Sequence, residues 1–132
     1  MKLFLTLIAT TLISFNSFAA CSIAIGGPGA RPEGLKILNE TLKKTMKNHD
    51  EYEIDFFTVA NLADVLDSQP DYMIYLKQNE EHFMEVQIRN ILTNSVIQTQ
   101  TYNPNGSFSE VSNLVARDFE KNALSKLKYC TR

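Results

Sequence analysis

The chain has no tryptophan, two cysteines, two histidines, four prolines and five glycines in 132 residues. The scarcity of histidine and cysteine bears directly on function. His49 and His82 lie far apart, and neither belongs to a helix-spaced ligand pair or a C-x-x-C motif, so no metal-binding pattern is present. No motif supports an enzyme that uses them as acid and base. The two cysteines, Cys21 and Cys130, lack the C-x-x-C arrangement of a thioredoxin-type centre. Basic residues show no excess: 13 Lys and Arg stand against 15 Asp and Glu, a net charge of −2. That balance gives no electrostatic footprint for nucleic acid and little attraction to an anionic membrane surface. No cofactor motif is found, and no cofactor is expected.

What is present begins with "MKLFLTLIATTLISFNSFAAC". Lys2 precedes an apolar run, and small residues follow at Ser17, Ala19 and Ala20. This is the order of a secretory signal, and the run is too short and too interrupted by hydroxyl residues for a membrane span. Residues 1–19 are read as a removable signal and 20–132 as a single domain. Cleavage after Ala19 leaves 113 residues and, with Lys2 gone, 12 basic against 15 acidic side chains. No later apolar stretch is long enough to span a bilayer. The expected location is the periplasm, with secretion as the alternative.

Cys21 then has two readings. In an exported protein an even cysteine count reads as a disulfide, and two cysteines permit one pairing, Cys21 with Cys130. The rival is a lipid anchor, because "Phe-Ala-Ala-Cys" resembles a bacterial lipoprotein box. Against it, "SIAI" follows at once as a strand, leaving no polar tether to hold a domain off the bilayer.

"CSIAIGG" reads as a strand stopped by glycines. In "RPEGLKILNETLKKTMKNHD", Leu35, Leu38, Leu42 and Met46 mark one helical face, with Pro32 in the first turn and Lys43, Lys44 and Lys47 at the negative end of the dipole. "YEIDFFTV" is a strand. Asn61 caps a short helix whose apolar side is Leu62, Val65 and Leu66, and Pro70 ends it. "DYMIYLKQ", "HFMEVQIRNIL" and "NSVIQTQTY" form an antiparallel meander. In the last of these, Ile97, Thr99 and Thr101 lie opposite Val96, Gln98, Gln100 and Tyr102. Tyr72, Met73, Tyr75, Phe83 and Met84 are read as core. Ser107 and Glu110 form a capping box for a helix from Phe108 to Tyr129, with Val111, Leu114, Val115, Phe119, Ala123 and Leu127 inward.

The order is β-α-β-α-β-β-β-α: an α/β (α+β) two-layer sandwich with a mixed sheet. Right-handed crossovers are expected to put the helices on one face. The other face then carries Tyr75, Lys77, Glu85, Gln87 and Arg89 as the candidate partner-facing strand residues.

"GGPGARPEGLK" is not a phosphate loop. The lysine follows the last glycine one place late, no hydroxyl follows it, Pro32 removes an amide donor and Glu33 repels phosphate. Gly27, Gly29 and Arg31 remain a possible anion-binding loop within residues 26–34.

The element order, the export signal and "DYMIYLKQ…FMEVQIRNILTNSVIQTQTY…LVARDFEKNALSKL" resemble small bacterial envelope domains of the TolB amino-terminal, LpoB and CsgG type. The resemblance spans residues 22–129 as a pattern, with Thr93-Asn94-Ser95 at the turn those families often fill with Asp/Thr-Gly. It implies their fold and protein–protein work, and no functional residue is carried over. The leading expectation is a non-catalytic periplasmic adaptor acting on an unknown envelope protein. The alternatives are a small-ligand or anion-binding protein using the loop, and a lipoprotein anchored through Cys21.

Overall fold

The computed structural model describes residues 20–28, 30–78, 83–103 and 107–131. The expected signal at 1–19, Gly29, His82 and the turn at 79–81 lie outside the described residues. The elements follow the expected order: β1 (Cys21–Gly26), α1 (Pro32–Met46), β2 (Ile54–Thr58), α2 (Leu62–Ser68), β3 (Tyr72–Gln78), β4 (Met84–Asn90), β5 (Ser95–Tyr102) and α3 (Phe108–Asp118). The strands form one mixed sheet in the order β2-β1-β3-β4-β5. β1 runs parallel to both neighbours, and β3, β4 and β5 are antiparallel.

Alternation along the strands builds the main core. Ile23 and Ile25 of β1, Phe56 of β2, Tyr72, Ile74 and Leu76 of β3, and Val86 and Ile88 of β4 all point to one face. There they meet Leu35, Leu38 and Leu42 of α1 and Val111 and Val115 of α3. Local chemistry agrees at the helix ends. Pro32 occupies the first turn of α1, and the Ser107 hydroxyl accepts the Glu110 amide at the start of α3. Asn61 accepts the Asp64 amide at 3.1 Å, and the Asp64 carboxylate accepts the Ala60 amide at 3.1 Å.

The helices do not all share one face. Val65 of α2 packs with Ala24, Val59 and Met73, a cluster separate from the main core and on the reverse of the sheet. The reason is topological. The crossover from β1 to β2 moves one way along the sheet, and the crossover from β2 to β3 moves back across β1. Two connections of the same hand that run in opposite directions place their helices on opposite faces. Met73 and Tyr75 follow α2 to that side, while Tyr72 stays in the main core.

Three smaller expectations are corrected. Leu66, assigned to the apolar side of its helix, is 69% exposed. Leu114 is 41% exposed, because the buried stripe of α3 steps through residues 111, 112, 115 and 116 and passes it by. The last helix also stops being α-helical at Asp118. A π-helical turn (Phe119–Ala123) and two 3₁₀ turns (Leu124–Lys126 and Lys128–Cys130) complete it. The π turn inserts an extra residue into the helical register, and Phe119, Ala123, Leu124 and Leu127 all remain buried.

These turns deliver Cys130 to the start of β1. Cys21 and Cys130 are bonded, with Cα atoms 4.8 Å apart and 109 residues of separation. Both are buried, and backbone bonds support them: Glu53 donates to the Cys130 carbonyl at 2.9 Å, and Cys21 donates to the Glu53 carbonyl at 3.1 Å. A sulfur held in this bond is not available for a lipid, so the geometry answers the Cys21 question for the disulfide. Closing a loop of roughly 100 residues is worth about 4–5 kcal/mol in the chain-entropy account. The variant Cys21→Ser/Cys130→Ser is therefore expected to lose about 4 kcal/mol in urea unfolding. A loss below about 1 kcal/mol contradicts a stabilising role for the tie.

Candidate functional site

β1 and β2 are parallel neighbours, and the chain leaving them goes to opposite faces. In open α/β sheets such a switch point leaves a crevice beyond the carboxyl ends of the strands. A groove of about 520 Å³ runs from there across the reverse face of the sheet. Its floor is Met73 and Tyr75 of β3 and Arg89 of β4. One wall is Val59, Ala60 and Asn61, which lead into α2, with Val65 and Leu66. Gly27 and Pro28 after β1, and Ile91 and Asn94 of the β4–β5 turn, close the other sides. Its size falls in the range of ordinary ligand sites. A second depression of about 330 Å³, at the β2 edge, is lined by Lys43, Lys47, Tyr52 and Glu53 among others. It is the smaller and more open of the two.

The five strand residues expected to face a partner are brought together. β3 and β4 pair Met73 with Arg89, Tyr75 with Gln87 and Lys77 with Glu85, so these side chains share the reverse face. Tyr75 and Arg89 line the groove. Lys77, Glu85 and Gln87 continue as a polar strip beside it, where the Gln87 amide donates to Glu85 Oε1 at 2.8 Å.

The anion-loop residues separate. Gly27 lines the groove, Arg31 is exposed at the start of α1 and outside it, and Gly29 lies outside the described residues. Gly27 has a structural duty as well. Its φ is +153°, and a Cβ there would lie 1.8 Å from the Leu76 carbonyl oxygen. The loop therefore presses its backbone onto β3, and only glycine permits it.

β5 departs from the expected alternation. The pairing Ile88–Gln98 is followed by Arg89–Val96, so Ile97 is the extra residue of a bulge. A bulge re-aims the side chains beyond it. Ile97 packs toward the main core, and Gln98, Gln100 and Tyr102 line a small void beneath α3. Val96 pairs with Arg89 and joins Thr99 and Thr101 on the groove side. The bulge was illegible because "SVIQTQTY" is compatible with either register. Asn94, in the left-handed region at φ 52°, is the residue that turns the chain here.

Charges differ sharply across the molecule. Tyr102 donates to the Asp118 carboxylate, and burial together with that bond pushes its hydroxyl far above the usual tyrosine range. His49 bonds Glu120 at 2.6 Å and lies 3.7 Å from Glu51. The Glu120 bond raises its pKa above the ordinary value despite the opposing effect of burial. This histidine clamps the end of α1 to the π turn and does not line the groove. Arg89 is the contrast: its Nε is buried without a hydrogen-bond partner. Among the described residues no group of three His, Cys, Asp and Glu is placed to hold a metal ion.

Two measurements check this geometry. Gly27→Ala is expected to destabilise the fold by about 3 kcal/mol through overpacking and strain; a change within about 0.5 kcal/mol, the range of ordinary surface substitutions, contradicts the close approach to Leu76. A raised histidine pKa stabilises the folded state at pH below the unfolded value of about 6.5, and the effect fades as pH rises through the folded value. The melting temperature is therefore expected to fall from about pH 6 to pH 8, and His49→Gln is expected to flatten that fall. An unchanged slope in the variant contradicts the clamp.

Comparison with known proteins adds little. No family model matches the chain. No curated protein matches it. Among the solved structures that resemble it distantly are two of PelC dodecamers from Paraburkholderia phytofirmans. One, a PelC variant, has a TM-score of 0.42 at 12% identity and covers 75% of this chain and 86% of that one. The other has a TM-score of 0.40 at 12% identity and covers 78% of this chain and 88% of that one. Likeness at this level assigns nothing to the present chain.

Proposed function

We propose that the protein is a non-catalytic binding module of the bacterial envelope, exported to the periplasm, which holds a partner protein on the open face of its sheet. One observation carries this reading: the two faces of the sheet are treated differently. One is sealed beneath α1 and α3. The other keeps a mostly apolar groove flanked by exposed Leu66, Leu92 and Val96. Exposed apolar surface rimmed by polar groups marks interaction sites.

A buried disulfide persists where the surroundings are oxidising, and the amino-terminal sequence has the order of an export signal. The pattern shared with TolB-, LpoB- and CsgG-type envelope domains supports protein–protein work. Among the described residues no helix is long and apolar enough to cross a membrane.

The test places a photoreactive amino acid at Tyr75, at Val96 or at Lys43 on exposed α1, in the native host. Tyr75 and Val96 are expected to crosslink to an envelope protein and Lys43 is not. No crosslink from the open face, or the same product from all three positions, overturns the reading.

A further inference from the structure

We infer that the groove recognises a carboxylate flanked by apolar side chains, presented by a segment of the partner protein, with Arg89 as the group that receives the carboxylate. This rests on the open-face reading above and names what that face selects.

The guanidinium of Arg89 lacks a counter-charge among the described residues. A guanidinium carries five N–H donors, and an arginine taken out of water is normally paired, because an unpaired charge in a dry site is costly. Arg89 has a buried Nε–H with no acceptor and, among the described residues, no ion pair. Its surroundings explain why. Across the strands stand Met73 on one side and Val96 on the other. From residue 90 to residue 109 the chain contains no Asp, Glu, Lys or Arg, so neither the β4–β5 turn nor β5 supplies a carboxylate. Glu85, four residues back on the same face, accepts from the Gln87 amide. Asp64 of α2 is turned to the Ala60 amide at its own helix start. Asp71 accepts the Ser22 amide at 2.9 Å. Each of these three carboxylates accepts a hydrogen bond from a group other than Arg89.

The apolar surroundings describe the rest of the ligand. Val59, Val65, Met73, Tyr75 and Ile91 offer an apolar bed around the cation. An acidic group embedded in apolar side chains satisfies both parts. The planar guanidinium fork matches a carboxylate in two parallel bonds and gains strength where water is excluded. The surface to be covered is also larger than the groove. Leu66 is 69% exposed on its rim, and Leu92, on the same turn as Ile91 and Asn94, is 82% exposed. A chain segment covers that rim as well as the groove, whereas a small free molecule fills only the groove.

The test is a selection that presupposes no partner. A phage-displayed library of random heptapeptides is panned on the immobilised, disulfide-bonded protein. Enriched peptides are expected to share an Asp or Glu with Leu, Ile, Val or Phe beside it. Synthetic copies are expected to lose at least tenfold in affinity when the acid is replaced by its amide. Arg89→Met is expected to bind the acidic and amide peptides alike, and Arg89→Lys to keep part of the preference. Because Arg89→Met replaces a half-buried guanidinium whose Nε–H has no acceptor and keeps an apolar stem, its urea midpoint is expected to equal or exceed that of the parent. This separates lost recognition from lost folding.

Enriched peptides without an acid, or an acidic preference that survives in Arg89→Met, overturn the inference and leave the protein-binding reading standing. Failure of any peptide to enrich overturns the inference. If the open-face crosslinks are absent too, the protein-binding reading fails with it. Decanoate shifting the NMR signals of Tyr75 and Arg89 where no peptide enriches assigns the groove to a free amphipathic acid and also overturns the inference.

Discussion

The structure hangs on β1. This strand is hydrogen-bonded on both edges, to β2 and β3, and Ile23, Ala24 and Ile25 are fully buried. Because the chain goes out from β1 to β2 and then returns across β1 to β3, connections of one hand cannot keep their helices together. α1 takes one face and α2 the other. α3 then joins α1, and the face bearing α2 is left with a single seven-residue helix for cover. The groove is the part of that face that one short helix does not reach. The disulfide acts at the opposite end of the same strand, where Cys21 ties β1 to the chain's last turns. One strand thus holds the closed core, the covalent tie and the lip of the candidate site.

The sites of tension lie at the ends of β1. At its carboxyl end, Gly27 passes so close to Leu76 that no side chain fits. At its amino end, Cys130 arrives only because α3 gives way to a π turn and two 3₁₀ turns. Arg89, on β4 beside β3, keeps a buried Nε–H without an acceptor in a groove that offers it apolar neighbours. Three other buried polar atoms among the described residues lack a partner, Asn39 Oδ1, Gln98 Oε1 and Ser112 Oγ, and they lie on the helical side; Arg89 Nε is the one that belongs to a charged side chain, and it lies at the uncovered surface.

Much of the scaffold was legible. Alternation located the strands, the caps at Asn61 and Ser107 located two helix starts, and the even cysteine count located the disulfide. What failed was information that is not local. No spacing within "YEIDFFTV" or "DYMIYLKQ" says that β3 inserts beside β1 and beyond it from β2, and that choice sets the face of α2. The bulge at Ile97 was hidden because Val96 and Ile97 are equally apolar and the following Thr and Gln residues suit either side. The end of α3 was hidden because a heptad-like apolar repeat continues through Leu127 although the backbone does not. For the site, Tyr75 and Arg89 were found by strand parity alone. The walls from Val59, Leu66 and Ile91 needed the topology, and of the candidate anion loop Gly27 lines the groove while Arg31 lies outside it.

The central claim is that the open face, and not the helical face, is covered in the protein's native setting. Hydroxyl-radical footprinting read by mass spectrometry tests this most directly, because exposed large side chains stand on both sides. The purified protein and the protein within its native envelope are compared. The account predicts that Leu66, Tyr75, Leu92 and Val96 lose reactivity in the envelope, while Leu114 of α3 and Tyr129 near the carboxyl end keep it. Equal reactivity of all six in both settings, or protection of Leu114 and Tyr129 alone, contradicts it.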